Sequence, residues 1–130
     1  MGLDGKQIRS HRDLVVWQKA MELAVTVYDA TRKFPKEELY GLTSQMRRAS
    51  VSIAANIAEG QGRRQKGEFC QFLSNSRGSL LELDTHWELA FRLKYIHPAQ
   101  HSEMQERIGE VGRLVNGLIR SLVPKVATNL

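Results

Sequence analysis

Arg63, Arg64 and Lys66 place three cations within four residues, and Arg47 and Arg48 form a second basic pair upstream. A guanidinium presents a planar fork of donors that fits phosphate oxygens. Several such groups together bind polyanions without regard to sequence. Anion recognition, nucleic acid above all, is the chemistry these residues could perform. Residues 62–67 also lead into a predicted helix whose first amides are free to face an anion. For Arg47 and Arg48 the favoured expectation is different. They are expected to pair with Glu59 or another carboxylate, across the bundle or between subunits.

Other residue types make weaker cases. Gly60-Gln61-Gly62 has no third glycine at the required spacing and no strand before it, so dinucleotide and P-loop readings fail and a helix end is expected. His97 and His101 stand four apart, but Pro98 lies between them and no nearby Cys or carboxylate set completes a metal site. They are expected at a surface turn. Glu82 and Asp84 diverge on a helix, so with Glu88 they read as a solvated face or as partners for arginines. Cys70 is the only cysteine, which rules out an intrachain disulfide, and it reads as a packed thiol. Trp17, Tyr28 and Trp87 fall on apolar faces and are expected in the core. No catalytic residue, metal ligand or cofactor is assigned, and the chain reads as a non-enzyme.

The elements that must position these residues are helices. Asp13 is expected to cap a first helix carrying Leu14, Trp17, Met21, Ala24, Tyr28 and Thr31 at spacings of three and four. Phe34-Pro35 stops it, because the residue before proline disfavours the helical region. Leu42, Met46, Ala49, Ile53, Asn56 and Gly60 define a second helix, with Val51 and Ile57 widening its apolar surface. Gly60 and Gly62 are expected to end that helix in the left-handed conformation. Phe69, Leu73, Ser76, Leu80, Leu83, Trp87, Ala90 and Lys94 mark a third, reaching about residue 95. Residues 74–79 are poor in helix formers, yet the apolar phase is unbroken across them, so one helix is predicted. Met104, Ile108, Val111, Val115, Leu118 and Leu122 mark a fourth, ended by Pro124. No segment alternates with period two. The prediction is an all-α, antiparallel up-down-up-down four-helix bundle over residues 13–124, with a basic arm at 1–12 and a tail at 125–130.

Within the second helix, Ala49, Ile53, Asn56, Ile57 and Gly60 are read as the packing seam, flanked by small residues that allow close helix approach. A polar residue on such a face can fix register or oligomeric state, and Asn56 is assigned that role.

The order Leu14-Val15-Val16-Trp17-Gln18-Lys19-Ala20, Phe34-Pro35, Gln45-Met46-Arg47-Arg48-Ala49, Ser52-Ile53, Asn56-Ile57-Ala58-Glu59-Gly60, Glu68-Phe69, Phe72-Leu73, Gly78-Ser79 and Glu82-Leu83 resembles a bacterial family. Its members are four-helix bundle proteins encoded within intervening sequences of large-subunit ribosomal RNA genes. The resemblance covers residues 13–96, and the fourth helix matches in pattern only. It implies a ring-like homopentamer. It also implies kinship with the accessory variability determinant of diversity-generating retroelements, a basic pentameric barrel that binds nucleic acid and a reverse transcriptase. The family's own molecular role is largely unassigned.

Charge distribution points the same way. Residues 1–66 carry twelve Lys or Arg against seven acidic residues, whereas residues 67–130 carry seven of each, so the net +5 lies in the first half. Such a surface suits nucleic acid, anionic membranes or acidic proteins. With 130 residues, 42% hydrophobic, the chain fits one domain with its own core. No apolar run is long enough to span a membrane, so a cytoplasmic protein with no membrane partner is expected. The resulting reading is a homo-oligomeric scaffold that binds RNA or DNA through Arg63, Arg64 and Lys66, with Arg47 and Arg48 as further candidates. The alternative is a protein–protein adaptor without nucleic acid contact.

Overall fold

The computed structural model describes residues 7–123. Residues 1–6 of the expected arm, Pro124 and the expected tail lie outside the described residues. The architecture is helical, with four α-helices and no strand among the described residues: α1 (Val15–Thr31), α2 (Leu42–Gln61), α3 (Lys66–Arg92) and α4 (Pro98–Leu122). Two 3-10 turns, His11–Asp13 and Lys36–Glu38, precede α1 and α2. Short connections make sequential neighbours antiparallel. Contacts run α1 to α2, α2 to α3, α3 to α4 and α4 back to α1, closing a four-helix bundle. No described helix is long and apolar enough to cross a membrane.

The core is filled by Leu23, Val27, Met46, Ile53, Ile57, Leu73, Leu83, Trp87, Val111 and Val115, each almost fully buried. Burying such a side chain contributes roughly 1.5–3 kcal/mol. Of the spacing-derived faces, those of α2, α3 and α4 point inward as the pattern predicts, apart from partly buried Asn56, Phe69 and Leu122 and exposed Lys94. That of α1 does not. Val16, Ala20, Leu23 and Val27 face the core with Leu14, Ala24 and Thr31, while Met21 and Tyr28 are exposed and Trp17 is half-buried. The reason is that α1 carries two apolar stripes, and only one can face the bundle centre.

The α2–α3 pair forms the most extensive interhelix packing. Gly60 explains part of it. A Cβ there would lie 2.8 Å from Phe72 Cβ and 2.9 Å from Phe69 Cδ1. Gly60 therefore sits inside α2 where α3 leaves no room for a side chain, not as the expected helix terminator. Gly62 caps the helix at φ −75°, in the ordinary right-handed region. Farther along the pair, Ser76 Oγ donates to the Ile53 carbonyl at 2.8 Å, and the Ser52 and Ser79 hydroxyls share a hydrogen bond of 2.9 Å. Asn56 Nδ2 donates within α2, to Ser52 O at 2.9 Å and Ser52 Oγ at 3.1 Å.

α3 is unbroken through residues 74–79, since its buried face supplies what local propensity lacks. It stops three residues short of the expected end. Lys94 adopts φ 68°, and the Tyr95 amide returns to the Ala90 carbonyl at 3.0 Å, which closes a Schellman turn. Tyr95 then ties the two turns at this end together. Its hydroxyl donates to Glu38 Oε2 at 2.8 Å, and Glu38 Oε1 accepts the Leu42 amide at 3.2 Å at the start of α2. The Glu38 carboxylate holds the Tyr95 phenol above its usual pKa, because it favours the protonated donor. At the other end, Asp13 does not cap α1. Its carboxylate accepts the Arg9 and Ser10 amides at 2.8 and 3.2 Å, closing the preceding 3-10 turn, and Leu14 occupies the α1 cap position.

Candidate functional site

Antiparallel packing brings the start of α1, the end of α2, the start of α3 and the end of α4 to one end of the bundle. The α2–α3 turn carries Arg63, Arg64 and, at the first position of α3, Lys66, all exposed. The 3-10 turn before α1 packs on both α1 and α2, so Arg9 and Arg12 are delivered to this end as well. Arg120, near the end of α4, completes it. Arg9, Arg12, Arg63, Arg64, Lys66 and Arg120 form no ion pair with any described residue. Among the described residues, the acids at this end are Asp13, Glu59 and Glu68. The opposite end is mixed, with Lys33, Lys36 and Lys94 near Glu37 and Glu38.

Two of these arginines lie over aromatic rings. The Arg63 guanidinium sits 4.8 Å from the Phe72 ring centroid, and Arg12 sits 5.6 Å from that of Trp17. Both separations fall within cation–π reach. Both arginines remain exposed.

Arg47 and Arg48 occupy another part of the molecule. Arg47 is half-buried where α2 meets the end of α1. Its Nε donates to Thr31 Oγ1 at 2.9 Å, and its guanidinium lies 4.7 Å from the Tyr28 ring centroid. Arg48 is exposed. Among the described residues, neither forms the expected ion pair with Glu59 or another carboxylate of the same chain; Arg47 meets a hydroxyl and a ring instead. Of the seam residues, Ala49, Ile53, Ile57 and Gly60 are buried and Asn56 is partly buried.

Trp17, Met21, Val25 and Tyr28 of α1 face Val51 and Ala55 of α2 across an open groove of about 480 Å³. This corrects the expectation that Tyr28 belongs to the core; Trp17 is partly buried and packs against the core from its edge. Trp87 is buried, and its indole donates to the His101 carbonyl at 3.3 Å. His101 is not a plain surface residue. Phe91 stacks on its ring at 3.9 Å, and its Nε2 lies 2.9 Å from Glu88 Oε1. Arg92 Nε donates to the other Glu88 oxygen at 3.0 Å, so Arg92 first and His101 second hold the Glu88 carboxyl below its usual pKa. His97 caps α4. Cys70 is partly buried. No group of His, Cys, Asp and Glu able to hold a metal ion occurs among the described residues.

The sequence shows the cluster at 63–66 directly. The convergence of Arg9, Arg12 and Arg120 on it could not be read that way, because these residues are distant in the chain and only antiparallel packing unites them.

The model of the 23S rRNA-intervening sequence protein family matches residues 12–117, most of the chain. The chain belongs to that family. The family match includes Arg12, Arg47, Arg48, Arg63, Arg64 and Lys66, while Arg9 and Arg120 lie beyond its ends. Among solved structures, the intervening sequence protein is similar to a crystal structure from Bacteroides thetaiotaomicron VPI-5482, described as a protein of unknown function from the S23 ribosomal protein family. The two share 24% identity at a TM-score of 0.75, over 82% of this chain and 96% of that one. That likeness supports the fold. No curated protein matches the intervening sequence protein.

Proposed function

We propose that this intervening sequence protein is a non-enzymatic scaffold that self-associates and binds RNA or DNA through the basic end of its bundle. The observation that carries the reading is the gathering of Arg9, Arg12, Arg63, Arg64, Lys66 and Arg120 at one end, without ion pairs to described residues. Cations left unpaired and solvated are the form in which Lys and Arg exchange counterions for phosphates. Self-association, with five copies as the number the family resemblance implies, repeats the basic end by symmetry. Weak contacts then add as avidity wherever one strand reaches several ends. Arg47 belongs to this surface less than Arg63 and Arg64 do, because it is half-buried in the first half of α2, away from that end, and its Nε donates to Thr31.

The test is a gel-shift titration of single-stranded RNA and DNA at several salt concentrations. The reading predicts binding at low salt that weakens steeply as salt rises. Absent or salt-independent binding overturns it. The exposed groove between α1 and α2 favours a second reading, an adaptor that recruits another protein there. Stoichiometric co-purification of a partner, with no retained nucleic acid, would support that reading instead.

A further inference from the structure

Among the uncovered apolar surfaces of the described residues, two on the sides of the bundle differ in shape and charge. The first is the groove between α1 and α2. Its walls are Met21, Val25 and Tyr28 on one side and Val51 on the other, between 38% and 58% exposed. The small side chains of Ala24, Ala54 and Ala55 open it. The second is the outward face of α3, where Leu81 and Leu89 are 65% and 47% exposed. Eight residues of helix put these leucines about 12 Å apart along the axis. The groove follows α1 from Trp17 to Arg32, about 22 Å at the same rise, so both leucines fit along it.

Charge decides which surface meets which. The charges that line the groove, Asp29 and Arg32, pair with each other at 2.9 Å, while Arg47, over the Tyr28 ring, and Arg48 form no ion pair with a described residue. Beside the α3 leucines, Glu82 and Asp84 are exposed and likewise form none. Groove against groove would bring Arg48 towards its own copy. The α3 face against itself would do the same to Glu82 and Asp84. Groove against α3 sets opposite charges around an apolar centre.

We infer that the α1–α2 groove of one copy receives the outer face of α3 of the next, a head-to-tail contact between unlike surfaces. It rests on the self-association proposed above and specifies its surfaces. A contact of this kind leaves one groove and one α3 face free at the two ends of any open assembly, so it propagates until a ring closes.

The test uses two exposed substitutions in the full chain. Val25→Glu blocks the groove and Leu81→Glu blocks the α3 face. Val51→Glu and Leu89→Glu serve as an independent pair, and circular dichroism confirms that each variant is folded. In light scattering, each variant alone is expected at the mass of one 14.8 kDa chain, under conditions where the unmodified protein is assembled. An equimolar mixture of the two is expected to give a two-chain complex and nothing larger, because one live groove and one live α3 face remain. A variant that alone keeps the assembled mass, or a mixture that stays monomeric, overturns the surface assignment and leaves self-association standing. An unmodified protein that is itself monomeric overturns self-association and this inference together.

Discussion

Two backbone positions test the packing account with opposite signs. Gly60 is a glycine where α3 leaves no space, with Phe72 Cβ 2.8 Å from any added Cβ. Alanine is the better helix former by about 1 kcal/mol, but forcing a methyl into a packed interface costs roughly 1–3 kcal/mol. Gly60→Ala is therefore expected to lower stability in urea denaturation despite its gain in helix propensity. Lys94 is the reverse case, a side chain at φ 68° where glycine meets no steric penalty. Lys94→Gly is expected to raise stability by about 1 kcal/mol in the same measurement. Glu88 supplies a pH signature. Its carboxyl is depressed by hydrogen bonds to Arg92 and His101, so its stabilising effect is present above the ordinary value of 4.5 and is lost as pH falls through the lower folded value. The stability difference between the unmodified protein and Glu88→Gln should shrink as pH falls below 4.5, as read from denaturation midpoints across an acid series.

The helices were legible to different degrees, and the causes are physical. In α3 and α4 the longest apolar stripe keeps its phase over the whole helix, so spacing alone located Leu73, Leu80, Leu83, Trp87, Met104, Ile108, Val111 and Val115 in the core, while Leu81 and Leu89 of α3 fall outside that stripe. α1 is apolar on two sides, and no periodicity can say which one the bundle uses. The chosen stripe is Val16, Ala20, Leu23 and Val27. The rejected one, Met21, Val25 and Tyr28, becomes a groove wall. Gly60 misled for another reason. A glycine late in a helix looks the same whether it ends the helix or admits a neighbour, and only the position of Phe69 and Phe72 separates the two. Asp13 misled because Ser10 and its own carboxylate form a closed 3-10 turn before α1 begins. Residues 74–79 show the opposite balance. Their weak propensity is overridden by Ser76, whose hydroxyl reaches the Ile53 carbonyl from within the buried face. Leu83 lies on that same face, fully buried, and Leu83→Ala is expected to cost about 2–5 kcal/mol in denaturant unfolding.

At the scale of the whole molecule, the bundle separates two surfaces that the linear sequence interleaves. The sides carry the uncovered apolar groove and the α3 face. The end formed by the first turn, the α2–α3 turn and the last turn of α4 carries cations that form no ion pair with a described residue. The charge excess of the first half of the sequence is thus partly gathered at one end, because the turn at 63–66 folds back beside Arg9 and Arg12. That arrangement is the centre of the functional account, and its most direct measurement is a salt titration. Binding of a labelled single-stranded RNA is followed by fluorescence anisotropy for the unmodified protein and for the Arg63→Glu, Arg64→Glu double variant. The account predicts that the double variant binds more weakly at every salt concentration and for every RNA sequence tried. It also predicts that the slope of log affinity against log salt becomes shallower by about 0.7 for each phosphate that is no longer neutralised. Equal affinity and equal slope for the two proteins would contradict it.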